Sequence, residues 1–413
     1  MRNWKRIRYG VQSVLSILAV ASCAAPRPAP SATSPGTTAS ASLPSETPSI
    51  QMSATPAGGL TSRCVERGEQ LPQGARGFLV LHDNVDLSLL DVGAGHILEL
   101  GSAAFGAARS ADGSRVAFVD PVEDRVIAVD YKGESELLFA AGDKLDVLAW
   151  PDPDILLMER GLWEPGAQDG LNSTVAINLS TGEETELLSN YPDIFDIPVR
   201  FAWQELSNTR VAYDPSLRYA VYPAFGENAP IVLWDLEAGR EVGRVPNTGD
   251  WQVGGAPRWS PDGSAFVVSA LSVEQPESTS EASGTEVFLA SRDGKVRRLT
   301  SLNGQMVAQE RVFAWSPDGS MLAFWLFLPG KSPEVQLSLL ELSSGRVTAL
   351  CLGTASAAGN LRPVWSPDGQ FIAATVLDPQ TGRYRVIVVD SLNGTSTPVA
   401  DDRYALEWIV GAD

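Results

Sequence analysis

Histidine is almost missing from this 413-residue chain: His82 and His96 are the only two. Neither has a second histidine at metal-ligand spacing, and no HExxH or CxxC pattern occurs, so no metal site is expected. Both histidines read as surface residues at strand edges. No GxSxG elbow occurs, which removes the nucleophile of an α/β-hydrolase. Gly330-Lys331-Ser332 would end a phosphate-binding loop only with a glycine at 325, where Trp325 stands. Basic residues are outnumbered too: 31 Lys and Arg face 50 Asp and Glu, for a net charge of −19 at pH 7. A surface of that sign repels nucleic acid phosphates and anionic lipid headgroups, so no nucleic-acid partner is expected. The acid excess serves solubility or offers a surface to cations and basic partners. No catalytic residue and no cofactor emerge, and the chain is read as a non-enzyme. A carboxylate pair for glycoside hydrolysis is defined by spatial separation, which sequence does not reveal. An enzyme acting on glycans or peptides therefore stays open as the alternative.

Long hydrophobic runs are missing as well. One apolar stretch, VQSVLSILAVAS, follows a start carrying Arg2, Lys5, Arg6 and Arg8. It is too short for a stable membrane span and reads as a signal peptide over 1–22. The segment Val20-Ala21-Ser22-Cys23 resembles a bacterial lipobox, which implies diacylation of Cys23 and removal of everything before it. Losing four basic residues would move the net charge from −19 to −23. The membrane would then be held through the N-terminal lipid only. Residues 23–60 follow as a tether so rich in Ala, Ser, Thr, Pro and Gly that it cannot bury a core. As a flexible coil it would span on the order of 35 Å.

What the chain has in abundance is one repeated phrase. RWSPDGSAFVVS (258–269), AWSPDGSMLAFW (314–325) and VWSPDGQFIAAT (364–375) each carry a tryptophan, a tight polar turn and an apolar run. Pro presets φ, Asp bonds nearby amides and Gly tolerates positive φ, so the unit is strand, turn, strand. Looser copies are ARSADGSRVAFV (108–119), LAWPDPDILLME (148–159) and VAYDPSLRYAVY (211–222), with Arg109, Trp150 and Tyr213 in the tryptophan slot. A second landmark is an alternating apolar strand running into a glycine turn, at Gly95, Gly133, Gly182, Gly239, Gly294, Gly345 and Gly394. Seven copies at spacings of roughly 40 to 60 residues predict seven blades of a propeller. The first copy lacks its tryptophan strand, and an orphan one, ALEWIVGAD with Trp408, ends the chain. The expectation is an all-β, seven-bladed β-propeller over 61–413, with blade 1 closed by the C-terminal strand.

The WSPDG turn, apolar strand, I-x-V-x-D-like strand, glycine turn and closing strand such as VRRLT (296–300) resemble the TolB-type propeller repeat over roughly 77–413. That resemblance implies a fold and leaves function open, because the repeat serves periplasmic adaptors, propeller domains of peptidases and other proteins.

With Cys23 acylated, Cys64 and Cys351 remain as an even pair in an exported protein. They form either a disulfide, if the lead 61–76 crosses the outer wall, or two separate buried thiols. WSPDG turns share one face of the disc. Loops between second and third strands, and blade connectors, share the other. The long insertions 159–173, 272–286 and 327–334 and the connector 190–208 all belong to the second face. Trp163, Trp203 and Trp251, on or near those loops, are candidate anchors for a glycan or an envelope protein, or else cover the propeller mouth. The expected function is a monomeric, lipid-anchored, extracytoplasmic scaffold with an unknown envelope protein or glycan as partner.

Overall fold

The computed structural model describes residues 59–68, 70, 74–103, 106–162, 171–187, 211–223, 230–245, 251–272, 285–302, 306–307, 313–327, 334–355, 361–378 and 381–411. These residues form strands and turns with no helix, and the strands gather into seven sheets. The sheets are the seven blades of a propeller. Each of blades 2 to 5 is four consecutive antiparallel strands. In blade 2 these are Ala107–Arg109, Arg115–Asp120, Arg125–Asp130 and Ser135–Ala140, counted from the inner strand outward.

Blade 1 is closed by its partner from the far end of the chain. Tyr404–Ile409 supplies the inner strand and pairs antiparallel with Phe78–His82, Trp408 opposite Leu79. This antiparallel seam joins the two ends of the ring, and Trp408 is fully buried there with its indole N–H donated to the Arg76 carbonyl at 2.9 Å.

Blades 6 and 7 carry an addition. The lead before blade 1 runs along their outer edges as two short parallel strands. Leu60–Ser62 pairs with Val347–Ala349 of blade 6, and Glu66–Arg67 pairs with Thr395–Ser396 of blade 7. Between these strands Cys64 is bonded to Cys351, Cα to Cα 4.7 Å, across 287 residues of chain. Leu60 and Val65 pack as apolar pegs against the blade cores.

The core is a set of layers between adjacent blades, not one central mass. Trp325, Trp365, Ile372 and Val389 fill the layer between blades 6 and 7. Trp408, Leu79, Phe371 and Val388 fill the layer between blades 7 and 1. Blade 1 is covered on both sides, by this layer and by the one it shares with blade 2, which corrects the expectation for His82. That residue ends the second strand of blade 1 and is buried, not superficial. Its Nδ1 accepts the Asn84 N–H at 2.9 Å, and Nε2 lies 3.3 Å from the Ala103 carbonyl, placed to donate to it. His96 is exposed.

Replacing Trp408 by Ala opens a cavity at the closing layer, and large-to-small changes of this kind cost about 3–5 kcal/mol. We expect the loss of stability to fall in that range by denaturant unfolding. A change under about 1 kcal/mol would mean that the seam does not hold the ring.

Candidate functional site

The tight-turn face is built from residues that serve one another. In each full copy the serine hydroxyl donates to the aspartate: Ser260 to Asp262 and Ser316 to Asp318 at 2.6 Å, Ser366 to Asp368 at 2.5 Å. The same aspartates accept the backbone N–H two residues on, at 3.0 to 3.1 Å. These donors hold the Asp262 and Asp318 carboxyls below the usual carboxylate range, with the serine hydroxyl the largest cause. The proline of each turn lies against the glycine of the next. A Cβ on Gly263 would stand 3.1 Å from Pro215 Cδ, and one on Gly369 3.5 Å from Pro317 Cδ. Gly263 also sits at φ +65°, so the position excludes a side chain for two separate reasons.

The tryptophan of the turn has a further duty. Trp259 donates its indole N–H to Ala212 O at 2.9 Å, Trp315 to Arg258 O at 3.2 Å and Trp365 to Ala314 O at 2.9 Å. Each acceptor lies on the inner strand of the preceding blade. Arg109, in the tryptophan slot of blade 2, follows the same pattern by donating to Trp408 O of blade 1 at 3.2 Å. At blade 4, where the turn is degenerate, Arg292 of blade 5 reaches the buried Asp214 at 2.7 Å. A shallow cleft of about 190 Å³ opens between the turns of blades 5 and 6, with Asp262, Trp315 and Asp318 in its lining.

The opposite face carries the uneven loops. The chain leaves the second strand of blade 3 at Leu162 and returns at Leu171, and leaves that of blade 5 at Ser272 to return at Thr285. Blades 1 and 2 make the same crossing over residues 83–85 and 121–124. Trp163 and Trp203 lie outside the described residues, as does Cys23. Trp251 is not in a loop: it opens the inner strand Trp251–Trp259 and pairs with Ser272, which places its backbone at the insertion end of blade 5.

At this same end of the inner ring is a carboxyl pair that sequence reading did not single out. Asp146 and Glu159 are cross-strand partners in blade 3, and Glu159 is 2% exposed. Asp146 Oδ1 accepts the Gly106 N–H of the blade 1–2 connector at 2.7 Å and its neighbour's N–H, Val147, at 3.0 Å. Burial pushes the Asp146 carboxyl up to about 7, the Gly106 N–H opposes that rise and the Glu159 charge reinforces it. The only sequence signal was an acid inside the apolar run LDVLAW. Among the described residues no three His, Cys, Asp or Glu side chains converge as metal ligands.

The fold is that of a seven-bladed β-propeller. Solved structures similar to it include an oligogalacturonate lyase from Vibrio parahaemolyticus, 14% identical over 80% of this chain and 90% of that one, with a TM-score of 0.52. An oligogalacturonate lyase in complex with manganese is 15% identical over 79% and 83%, with a TM-score of 0.50. TolB from Acinetobacter baumannii is 17% identical over 83% and 82%, with a TM-score of 0.43. At such identities the likeness is one of fold alone. No protein-family model matches the chain, and no curated protein matches it.

The Asp146 carboxyl sets a pH dependence whose sign follows from its raised value. The folded protein keeps this proton up to about pH 7, whereas the unfolded chain releases it near the ordinary aspartate value of 3.8. Its contribution to stability is complete below the unfolded value and is lost as pH rises through the folded one. Thermal unfolding of Asp146→Asn, which keeps an acceptor for Gly106, should lack this component. The wild-type protein should lose stability relative to the variant between pH 4 and 8, by up to ~1.4 kcal/mol per pH unit. Parallel curves for the two proteins would contradict it.

Proposed function

We propose that this chain is a non-catalytic, lipid-anchored scaffold of the cell envelope that binds a protein or glycan partner through its insertion face. The observation that carries the reading is the asymmetry of the two faces. On the turn face, serine, aspartate, proline and glycine are engaged in holding turns and neighbouring blades together. Extra chain length is spent on the other face, where a rigid scaffold usually presents its binding loops. A disulfide between Cys64 and Cys351 suits an oxidising compartment outside the cytoplasm.

A catalytic reading has one observation in its favour. A carboxyl whose proton is held to about pH 7 beside a second acid is an arrangement that acid–base chemistry uses. Against it, Asp146 Oδ1 is committed to two backbone N–H groups, which is the bonding of a clamp. The lyases that share the fold are named for oligogalacturonate, a polyanion, and a chain of net charge −19 repels such a substrate.

The test takes glycan arrays and labelled envelope proteins as probes, with circular dichroism as the folding control. For a probe that binds, alanine at Trp163, Trp203 or Trp251 should cost about 2 kcal/mol or more at a true anchor. The Cys23→Ser protein should leave the membrane fraction. Affinity that falls instead on altering the Asp262, Asp318 or Asp368 turns would place recognition on the turn face and overturn the insertion-face reading. Turnover of oligogalacturonate by the intact chain would overturn the non-catalytic reading.

A further inference from the structure

The outer edges of the seven blades are not treated alike. In blades 6 and 7 the lead covers them, adding in parallel to strand residues that begin one or two positions after the turn glycine. Under that cover Val347 and Ala349 of blade 6 are 1% and 0% exposed. The equivalent positions of blade 1, two and four residues after Gly95, are Ile97 and Glu99. Ile97 is 43% exposed, and its neighbour Leu98 is also 43% exposed. The outer strands Ile97–Ser102 of blade 1 and Ser135–Ala140 of blade 2 pair on one side only among the described residues.

The two uncovered edges join into one surface. The blade 2 turn packs on the blade 1 strand so closely that a Cβ on Gly133 would stand 2.4 Å from Leu98 Cδ2. That turn leads directly into the strand bearing Leu137, which is 63% exposed. Leu98 and Leu137, opposite Leu89 and Ile127 of the layer between blades 1 and 2, thus flank one apolar groove beside the two unpaired strand edges, while Ile97 lies on the other face of blade 1. A surface of this kind templates strand addition. Its polar neighbours are Glu99 and Glu136 on the same strands, paired with Arg403 at 2.8 Å and Arg115 at 2.7 Å, and the exposed Glu134 just before the blade 2 strand.

The lead shows what such an edge accepts. It offers Leu60 and Val65 as apolar pegs, while Arg63 donates to the Leu392 carbonyl of the blade 7 turn and Arg67 lies in the second added strand. We infer that the outer wall of blades 1 and 2 is a second docking surface, which takes an extended segment of a partner polypeptide bearing apolar and basic side chains as an added parallel strand. This surface is separate from the insertion face, and its test separates the two. Backbone pairing supplies the affinity, and Leu98, Leu137 and Glu134 supply the preference for an apolar and basic sequence.

The probe is a fluorescent peptide of residues 59–68 carrying Cys64→Ser, which has the required pattern. The lead's own site remains filled in the full chain, because the Cys64–Cys351 bond holds it. The peptide should bind the full chain, and amide exchange of Ile97–Ser102 should slow when it does. Leu98→Lys combined with Leu137→Lys, both surface changes, should weaken binding at least tenfold. Val242→Lys, on the exposed outer strand of blade 4, should leave it unchanged. Failure of the peptide to bind, binding untouched by the blade 1 and 2 changes, or loss on alanine substitution of Trp163, Trp203 and Trp251 instead would overturn the inference.

Discussion

An indole N–H reaching across to the inner strand of the preceding blade is the interaction on which the rest of this propeller depends. Trp259, Trp315 and Trp365 each make it, and Arg109 makes its counterpart across the seam to Trp408 O. The inner strands of blades 4 and 7 are only two residues long, so their own ladders hold them weakly. A buried hydrogen bond contributes about 1 kcal/mol net. Left unmade inside the layer, it would cost more. The same ring fills the gap between sheets, so one side chain supplies both packing and register between blades. The Pro–Gly contacts of the turns repeat that coupling at the rim.

Closure follows from the same logic. A ring of layered cores has no centre to collapse around, and each layer needs both of its blades. The antiparallel pairing of Tyr404–Ile409 with Phe78–His82 supplies the last layer. The lead then adds strands outside blades 6 and 7, and the Cys64–Cys351 bond ties it to blade 6 across 287 residues. In the chain-entropy account a loop of that size contributes up to ~5 kcal/mol. Together these features make a rigid disc whose differences between blades are confined to loops and outer edges.

The blade count, the closing strand and the face shared by WSPDG turns were legible because their signals are local: a Ser-Pro-Asp-Gly turn, a slot for tryptophan, a glycine after an alternating strand. What was not legible depends on where distant segments meet. Strand pairings of two or three residues, such as Glu66–Arg67 on blade 7, leave no periodicity to read. Asp146 touches Gly106 from another blade, and nothing near either residue in sequence announces it. His82 was misread for a physical reason. Alternation locates a solvent side only where a sheet has one, and here both sides of the blade are covered.

The claim that the indole bonds couple the blades is tested most directly by Trp365→Phe, which removes the N–H and keeps the aromatic ring. Hydrogen exchange with denaturant unfolding should show a loss of about 1 kcal/mol or more, with faster exchange in the inner strands of blade 6 and blade 7 alike. Unchanged stability, or faster exchange confined to blade 7, would contradict the account.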